Sequence, residues 1–277
     1  MKVDNILIIG KRSNLSNQLN QFLENSILIQ TNDLSTVEEI LKVKKNIVII
    51  YNSCVQGNKL NSIADPVSYT NYSIAFLSEF IKCCINYISN IKKIIFTSSG
   101  AVYGNNNNAK ETDPYFVQNL YSSFKISSEL LILRYLSKFP IDIIITRIFN
   151  MYGGDDNFSV IKSMINDLKN NNNFKLNNNG QSIRDFIHVK DICRIYKKII
   201  YSDFEGQLNI CTGKGISIIY LKELTEKIFQ KKLNLKHSFS NEISISQGST
   251  NKLNKLFGEI NYLSLEDYLK SEKDFNK

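Results

Sequence analysis

Tyr121 and Lys125 stand four residues apart, so a helix sets them on one face, one turn from each other. An ammonium held beside a phenol stabilises the phenolate, and Tyr121 is therefore expected to titrate below the free value of about 10. Upstream, Ile94-Ile95-Phe96-Thr97-Ser98-Ser99 passes from apolar to hydroxyl-bearing residues, as a buried strand does when it ends at a polar site. A serine at that strand end can hydrogen-bond the same substrate oxygen as the tyrosine. Together these groups move a proton on or off an alcohol or ketone. The chemistry is complete only with a carrier for the hydride.

The elements that must position these groups follow from hydrophobic spacing. Residues 5–9 are apolar and stop at Gly10, and a helical pattern then runs through Leu15, Leu19, Phe22 and Leu23. Strand, glycine turn and helix open a dinucleotide-binding unit, in which the helix N-terminus receives the pyrophosphate. Further strands are expected at 27–30, 47–51, 94–98 and 141–147, alternating with helices at 37–43, from about Ser73 to Ile88, and from Tyr121 to about Leu136. Strands that are apolar throughout and alternate with helices form a parallel sheet covered on both faces. After Asn150 the pattern loosens into helices near 158–169, 191–201 and 217–230, with short strands at 183–187 and 207–211. The expected fold is α/β: a doubly wound parallel Rossmann-type sheet over 1–150, and a smaller C-terminal α/β substrate lobe over 151–277. That lobe is expected over the carboxyl edge of the sheet, with some of its segments returning to the first domain.

Composition narrows the class of partner. The chain has 277 residues, 43% of them hydrophobic, enough for a substantial core. The net charge of +8 is spread among Asn and Ile without a basic block, which favours an anionic small molecule over nucleic acid. Cys54, Cys83, Cys84, Cys193 and Cys211 form no CxxC and no metal-ligand spacing. With no signal peptide and no apolar run of membrane-spanning length, they are expected to be reduced thiols of a cytoplasmic protein. The tracts Asn105–Asn108 and Asn170–Asn173 are expected to be polar loops.

Five segments, in order, resemble the extended short-chain dehydrogenase/reductase family, and within it the nucleotide-sugar epimerases, dehydratases and reductases. They are Thr97-Ser98-Ser99-Gly100-Ala101-Val102-Tyr103-Gly104, Tyr121-x-x-x-Lys125, Arg147-Ile148-Phe149-Asn150-Met151-Tyr152-Gly153, Arg184-Asp185-Phe186-Ile187-His188-Val189-Lys190-Asp191 and Leu208-Asn209-Ile210-Cys211-Thr212-Gly213. The resemblance implies that Tyr121 is the general acid/base, that Lys125 lowers its pKa and holds the nicotinamide ribose, and that Ser99 orients the reacting C–O group. It places Asn150 near the sugar-nucleotide diphosphate and pairs Arg184 with it, a role suited to a planar guanidinium. It also places Asn71 near the cofactor, where Asn71 is equally a good helix cap. His188 is expected to be structural.

The cofactor loop departs from the family pattern. Its G-x-x-G-x-x-G becomes Gly10-Lys11-Arg12-Ser13-Asn14-Leu15-Ser16, with serines at the second and third glycine positions. Gly10, Arg12, Ser13 and Leu15 remain the expected contacts; packing at Ser16 is expected to be slightly looser. At the second strand's end, Asn32 stands where NAD enzymes of the family place an Asp for the ribose 2′-OH, and Asp33 follows one residue late. With Arg12 in the loop, NADP(H) is favoured over NAD(H). The segment Ser98-Ser99-Gly100 lacks the acid pair of the family's 4,6-dehydratases, and the chain is short for an epimerase. The resemblance thus points to a homodimeric reductase of a nucleotide-activated 4-keto(-6-deoxy) sugar. A nucleotide-sugar 4-epimerase and a non-catalytic dinucleotide-binding interaction protein are the alternatives.

Overall fold

The computed structural model describes residues 5–53 and 65–274. Cys54 lies outside them. The chain divides into two compact units: Met1–Val102, Pro114–Ile148 and Cys193–Leu208 form the first, and Tyr103–Asp113, Phe149–Ile192 and Asn209–Lys277 the second.

The first unit is built on isoleucine-rich strands: Asn5–Ile9 (β1), Ser26–Ile29 (β2), Ile47–Tyr51 (β3), Ile91–Ser99 (β4) and Asp142–Ile148. Branched side chains suit a pleated, buried surface. Its six-stranded sheet has the order Gly206–Ile210, Asp142–Ile148, β4, β3, β1, β2. The pairs β2–β1, β1–β3, β3–β4 and β4 with Asp142–Ile148 are all parallel. Helices Asn14–Phe22 (α1), Leu34–Val43 (α2), Pro66–Thr70 (α3), Phe76–Asn86 (α4) and Leu120–Leu136 (α5) connect them.

Both faces of the sheet are sealed. Leu7, Ile9, Ile49, Tyr51 and Phe96 pack in one cluster with Val37 and Leu41 of α2, Phe80 of α4, and Ile132 and Leu136 of α5. The alternate residues Ile6, Ile8, Val48, Ile50, Ile95 and Ile144 are equally buried. Each such side chain contributes about 1.5–3 kcal/mol relative to exposure. The chain leaves β1 on one side to form β2 and crosses to the other for β3. That reversal opens a crevice at the carboxyl ends of β1 and β3, where ligands of such sheets bind.

One helix differs from expectation. Instead of starting near Ser73, the helical run begins at Pro66, passes through a π-helical turn at Asn71–Ala75, and continues as α4. Asp65 caps it by accepting from the backbone N–H groups of Val67 and Ser68, both at 3.0 Å, and Pro66 suits a first turn because it has no N–H to leave unpaired. Asn71 is therefore not an N-terminal cap but an exposed residue inside the run.

In the second unit, Asn106–Ala109, expected as a loop, is instead a strand. It pairs with Ile245–Gly248, which pairs in turn with Ile183–His188, itself flanked by Gly215–Ser217 and Asn150–Tyr152. Long-range partners for the backbone and the burial of Ala109 outweigh the weak strand tendency of asparagine. Asn173–Asn177 and Asn234–Ser238 form a separate parallel pair. Among the described residues no helix is long and apolar enough to cross a membrane.

Candidate active site

At the crevice, Gly10 adopts φ +121°, and a Cβ there would lie 2.2 Å from the carbonyl oxygen of Asn52. Only glycine permits that approach. Ser13 is the N-cap of α1, yet its hydroxyl makes no capping bond to its own helix. The Asn52 amide nitrogen instead donates to Ser13 Oγ and Ser16 Oγ, both at 2.9 Å. Ser16 is fully buried, so the looser packing expected there is replaced by a polar contact to the end of β3. Leu15 is buried in the core, which leaves its first-turn backbone N–H as the group it can offer a ligand. Arg12 is exposed in the turn.

At the end of β2, Asp33 caps α2. Its carboxylate accepts from the Thr36 hydroxyl at 2.8 Å, the Ser35 hydroxyl at 3.0 Å and the Thr36 N–H at 3.3 Å. These bonds, led by the Thr36 hydroxyl, hold its pKa below the ordinary carboxylate value. Asn32 is exposed beside it. Thr31 and Ser53 share a hydroxyl hydrogen bond of 2.6 Å that links the ends of β2 and β3.

The catalytic candidates lie on β4 and α5. Asn119 starts α5 with a capping box: its side chain accepts from Ser122 N–H at 2.9 Å, and Ser122 Oγ accepts from Asn119 N–H at 3.0 Å. This fixes the helix two residues before Tyr121. Lys125, 4% exposed, donates to the carbonyl oxygen of Thr97 at 2.8 Å. Its ammonium also sits 5.2 Å from the Phe96 ring centre and 6.0 Å from that of Tyr121. The structure thus brings Lys125 against Tyr121 and against the strand that ends in Ser99. The Ser99 hydroxyl, partly exposed, accepts from Ala101 N–H at 3.2 Å.

A buried network that motif reading missed holds this arrangement. Glu129, one turn beyond Lys125, pairs with Arg147 at 2.8 Å, and both are buried. Ser98 donates its hydroxyl to the same carboxylate, and Tyr115 donates to it at 2.8 Å. The Arg147 guanidinium lies 5.1 Å from the Tyr115 ring centre. Burial, then Glu129, push the Tyr115 phenol up to about 12. The spacing of Tyr121, Lys125 and Glu129 at four-residue intervals was the available signal. On the other side of β4, the Tyr196 hydroxyl bonds Thr97 Oγ1 at 2.8 Å and Thr146 Oγ1 at 2.6 Å.

Asn150 and Arg184 belong to the second unit. Asn150 donates to the carbonyl oxygen of Asp185 at 3.2 Å. Arg184 donates to Ile183 O at 2.9 Å and faces Glu242 at 3.4 Å. Glu242 also accepts from Ser182 at 2.6 Å. Burial lowers the Arg184 pKa and Glu242 opposes the shift. Asp185 anchors a turn by accepting from Thr212 and Gly213 N–H, both at 2.9 Å. His188 accepts from Lys190 N–H at 3.1 Å and packs against Tyr152 and Tyr268.

A parallel sheet with a glycine turn at its switch point, and a tyrosine–lysine helix against the fourth strand, is the Rossmann-type arrangement of extended short-chain dehydrogenases/reductases. The chain belongs to the NAD dependent epimerase/dehydratase family, whose model matches residues 2–211. It is 28% identical over 200 residues to dTDP-D-glucose 4,6-dehydratase of Dictyostelium discoideum, a match covering 67% of this chain and 45% of that protein. It is 24% identical over 236 residues to a low-salt glycan biosynthesis protein of Haloferax volcanii, covering 82% of this chain and 72% of the relative. In fold it is similar to UDP-N-acetylglucosamine 4-epimerase from Methanobrevibacter ruminantium, with a TM-score of 0.84, 23% identity, and coverage of 100% of this chain and 99% of that one.

Proposed function

We propose that this protein carries out oxidation or reduction at C4 of a nucleotide-activated sugar, with a nicotinamide dinucleotide in the β1–β3 crevice. The observation that carries the reading is Lys125, buried against Thr97 O with its ammonium over the Tyr121 ring. Gly10 and the serine-lined first turn of α1 fit the pyrophosphate of that cofactor, since any Cβ at Gly10 would meet Asn52. The bound dinucleotide supplies or accepts the hydride. Tyr121 gives a proton to the C4 oxygen in reduction and takes it in oxidation, with Ser99 holding that oxygen. Lys125 steadies the phenolate and reaches the ribose. Proton transfer of this kind contributes roughly 10²–10⁴ in rate. In the second unit, the substrate lobe of this proposal, Arg184 pairs with the sugar-nucleotide diphosphate and Asn150 lies near it.

Two net reactions share this step. Reduction of a 4-keto(-6-deoxy) sugar by NADPH is supported by the cofactor end of β2: Asp33 is engaged in capping α2, Asn32 replaces the acid, and Arg12 is at hand for a 2′-phosphate. The second reading, 4-epimerisation with a retained NAD⁺, is favoured by the whole-length likeness to a UDP-N-acetylglucosamine 4-epimerase. Elimination of water is disfavoured because Ser98-Ser99-Gly100 offers no carboxylate. Similarity to a glycan biosynthesis protein supports a place in supplying activated sugars for polysaccharide assembly. A homodimer completes the proposal: on α5 Leu130 is 51% exposed, whereas Leu131 and Leu133 pack partly against the core. Sedimentation of the protein as a monomer at micromolar concentration overturns the dimer.

The deciding experiment identifies the dinucleotide released on denaturation and titrates stripped protein with NADPH and NADH. Retained NAD⁺ selects the epimerase, and reversible NADPH binding selects the reductase. In either case Tyr121→Phe keeps cofactor binding and lowers turnover of the substrate found in a nucleotide-sugar screen by at least about 100-fold. Unchanged turnover refutes the role of Tyr121 as general acid/base, and a parent protein that binds the dinucleotide yet turns over no nucleotide sugar in the screen leaves a dinucleotide-binding interaction protein.

A further inference from the structure

The cofactor loop of this chain lacks two glycines, and the end of β3 supplies what takes their place. Asn52 meets the loop at four points. Its backbone N–H donates to Ile9 O at 2.9 Å, its carbonyl packs where a Gly10 side chain would stand, and its amide nitrogen donates to Ser13 and Ser16. An amide nitrogen has two protons, so one goes to each serine. Each hydroxyl then uses an acceptor lone pair towards Asn52 and keeps its own proton for another partner. Ser16 is fully buried, so only the partly exposed Ser13 can turn that proton towards a ligand.

We infer that Asn52 is a positioning residue that orients the Ser13 hydroxyl as a hydrogen-bond donor to a dinucleotide diphosphate, replacing the close backbone approach that the missing glycines would allow. The inference rests on the dinucleotide reading of this crevice. A glycine at the second loop position lets phosphate approach the main chain; a serine there adds bulk, and is useful only if its hydroxyl points at the phosphate. Free rotation about χ1 would leave that hydroxyl in one of three staggered positions. The bond from Asn52 selects one. The bond to Ser16 fixes the amide in turn, so the three residues act as one unit.

The test uses the full chain and two probes, NADH and ADP-ribose, with affinities measured by fluorescence and calorimetric titration. Asn52→Ala and Ser13→Ala are each expected to weaken both probes about tenfold, the effect of one hydrogen bond to a charged group. The double variant Asn52→Ala/Ser13→Ala is expected to be no weaker than either single one, because Asn52 acts through Ser13. The triple variant Ser13→Gly/Ser16→Gly/Asn52→Ala restores the glycine form and is expected to recover to within about threefold of the parent, a rescue that a merely structural asparagine would not show. Should Asn52→Ala fail to fold, Ser13→Ala and the triple variant still decide. Additive losses, single variants with parental affinity, or a triple variant as weak as Asn52→Ala overturn the inference while the dinucleotide reading stands. A parent that binds neither of these probes nor NADPH overturns both.

Discussion

Glu129→Ala removes the acceptor at the centre of a buried polar network. In the folded protein its carboxylate takes hydrogen bonds from Ser98, Tyr115 and Arg147. Arg147 is 2% exposed and faces Ser98 across the β4 pairing, so Glu129→Ala takes from a guanidinium inside the sheet the carboxylate that pairs with it. Breaking a buried pair by deleting one partner costs about 3–5 kcal/mol, against a total stability of about 5–15 kcal/mol. For a chain of this size each 1 kcal/mol lowers Tm by about 2–4 °C, so the expected drop is roughly 6–20 °C. Tyr115→Phe keeps the ring beside Arg147, loses only the hydroxyl, and should cost about 1 kcal/mol. Replacing both charges, Glu129→Leu with Arg147→Met, should recover most of the loss because no uncompensated charge remains. Thermal and urea unfolding followed by far-UV circular dichroism measure all three. A loss below about 1 kcal/mol for Glu129→Ala refutes the reasoning, since Arg147 would then have found water or another acceptor.

Gly10→Ala brings a Cβ to 2.2 Å from Asn52 O at φ +121°; it is expected to weaken NADH binding at least about tenfold and to cost about 1–3 kcal/mol in backbone strain, and parental values in titration and melting would contradict that geometry. Burial pushes the Tyr196 phenol up to about 12. Its folded pKa lies above the unfolded value of about 10, so its contribution is complete below pH 10 and is lost as pH rises towards 12, by roughly 3 kcal/mol in all. The Tyr196→Phe variant should therefore show a shallower decline of unfolding free energy over that window, and parallel curves for the two proteins would remove Tyr196 as a source.

The sheet and its order of elements were legible because buried parallel strands are apolar throughout, and this chain spells them with isoleucine. The helix ahead of α4 was not, since Pro66–Thr70 offers little periodicity and depends on the Asp65 cap. Asparagine tracts misled in the same way. Five of the six non-glycine residues at positive φ among the described residues are asparagines, which tolerate that region in turns. Asn106–Ala109 nevertheless joins a sheet through partners more than 130 residues away.

By itself the sequence determined the chemistry-bearing types: a tyrosine and lysine one helical turn apart, a strand ending in hydroxyls, and a glycine after the first strand. Local spacing is enough for these, because a helix or strand turns sequence distance into direction. Tertiary structure alone decided which polar groups were available. It set Glu242 against Arg184, enclosed Glu129 with Arg147 and tied Ser13 and Ser16 to Asn52. Burial and hydrogen-bond pairing depend on what the fold brings near each side chain, and partners separated by 18 to 58 residues leave no periodic trace in the chain.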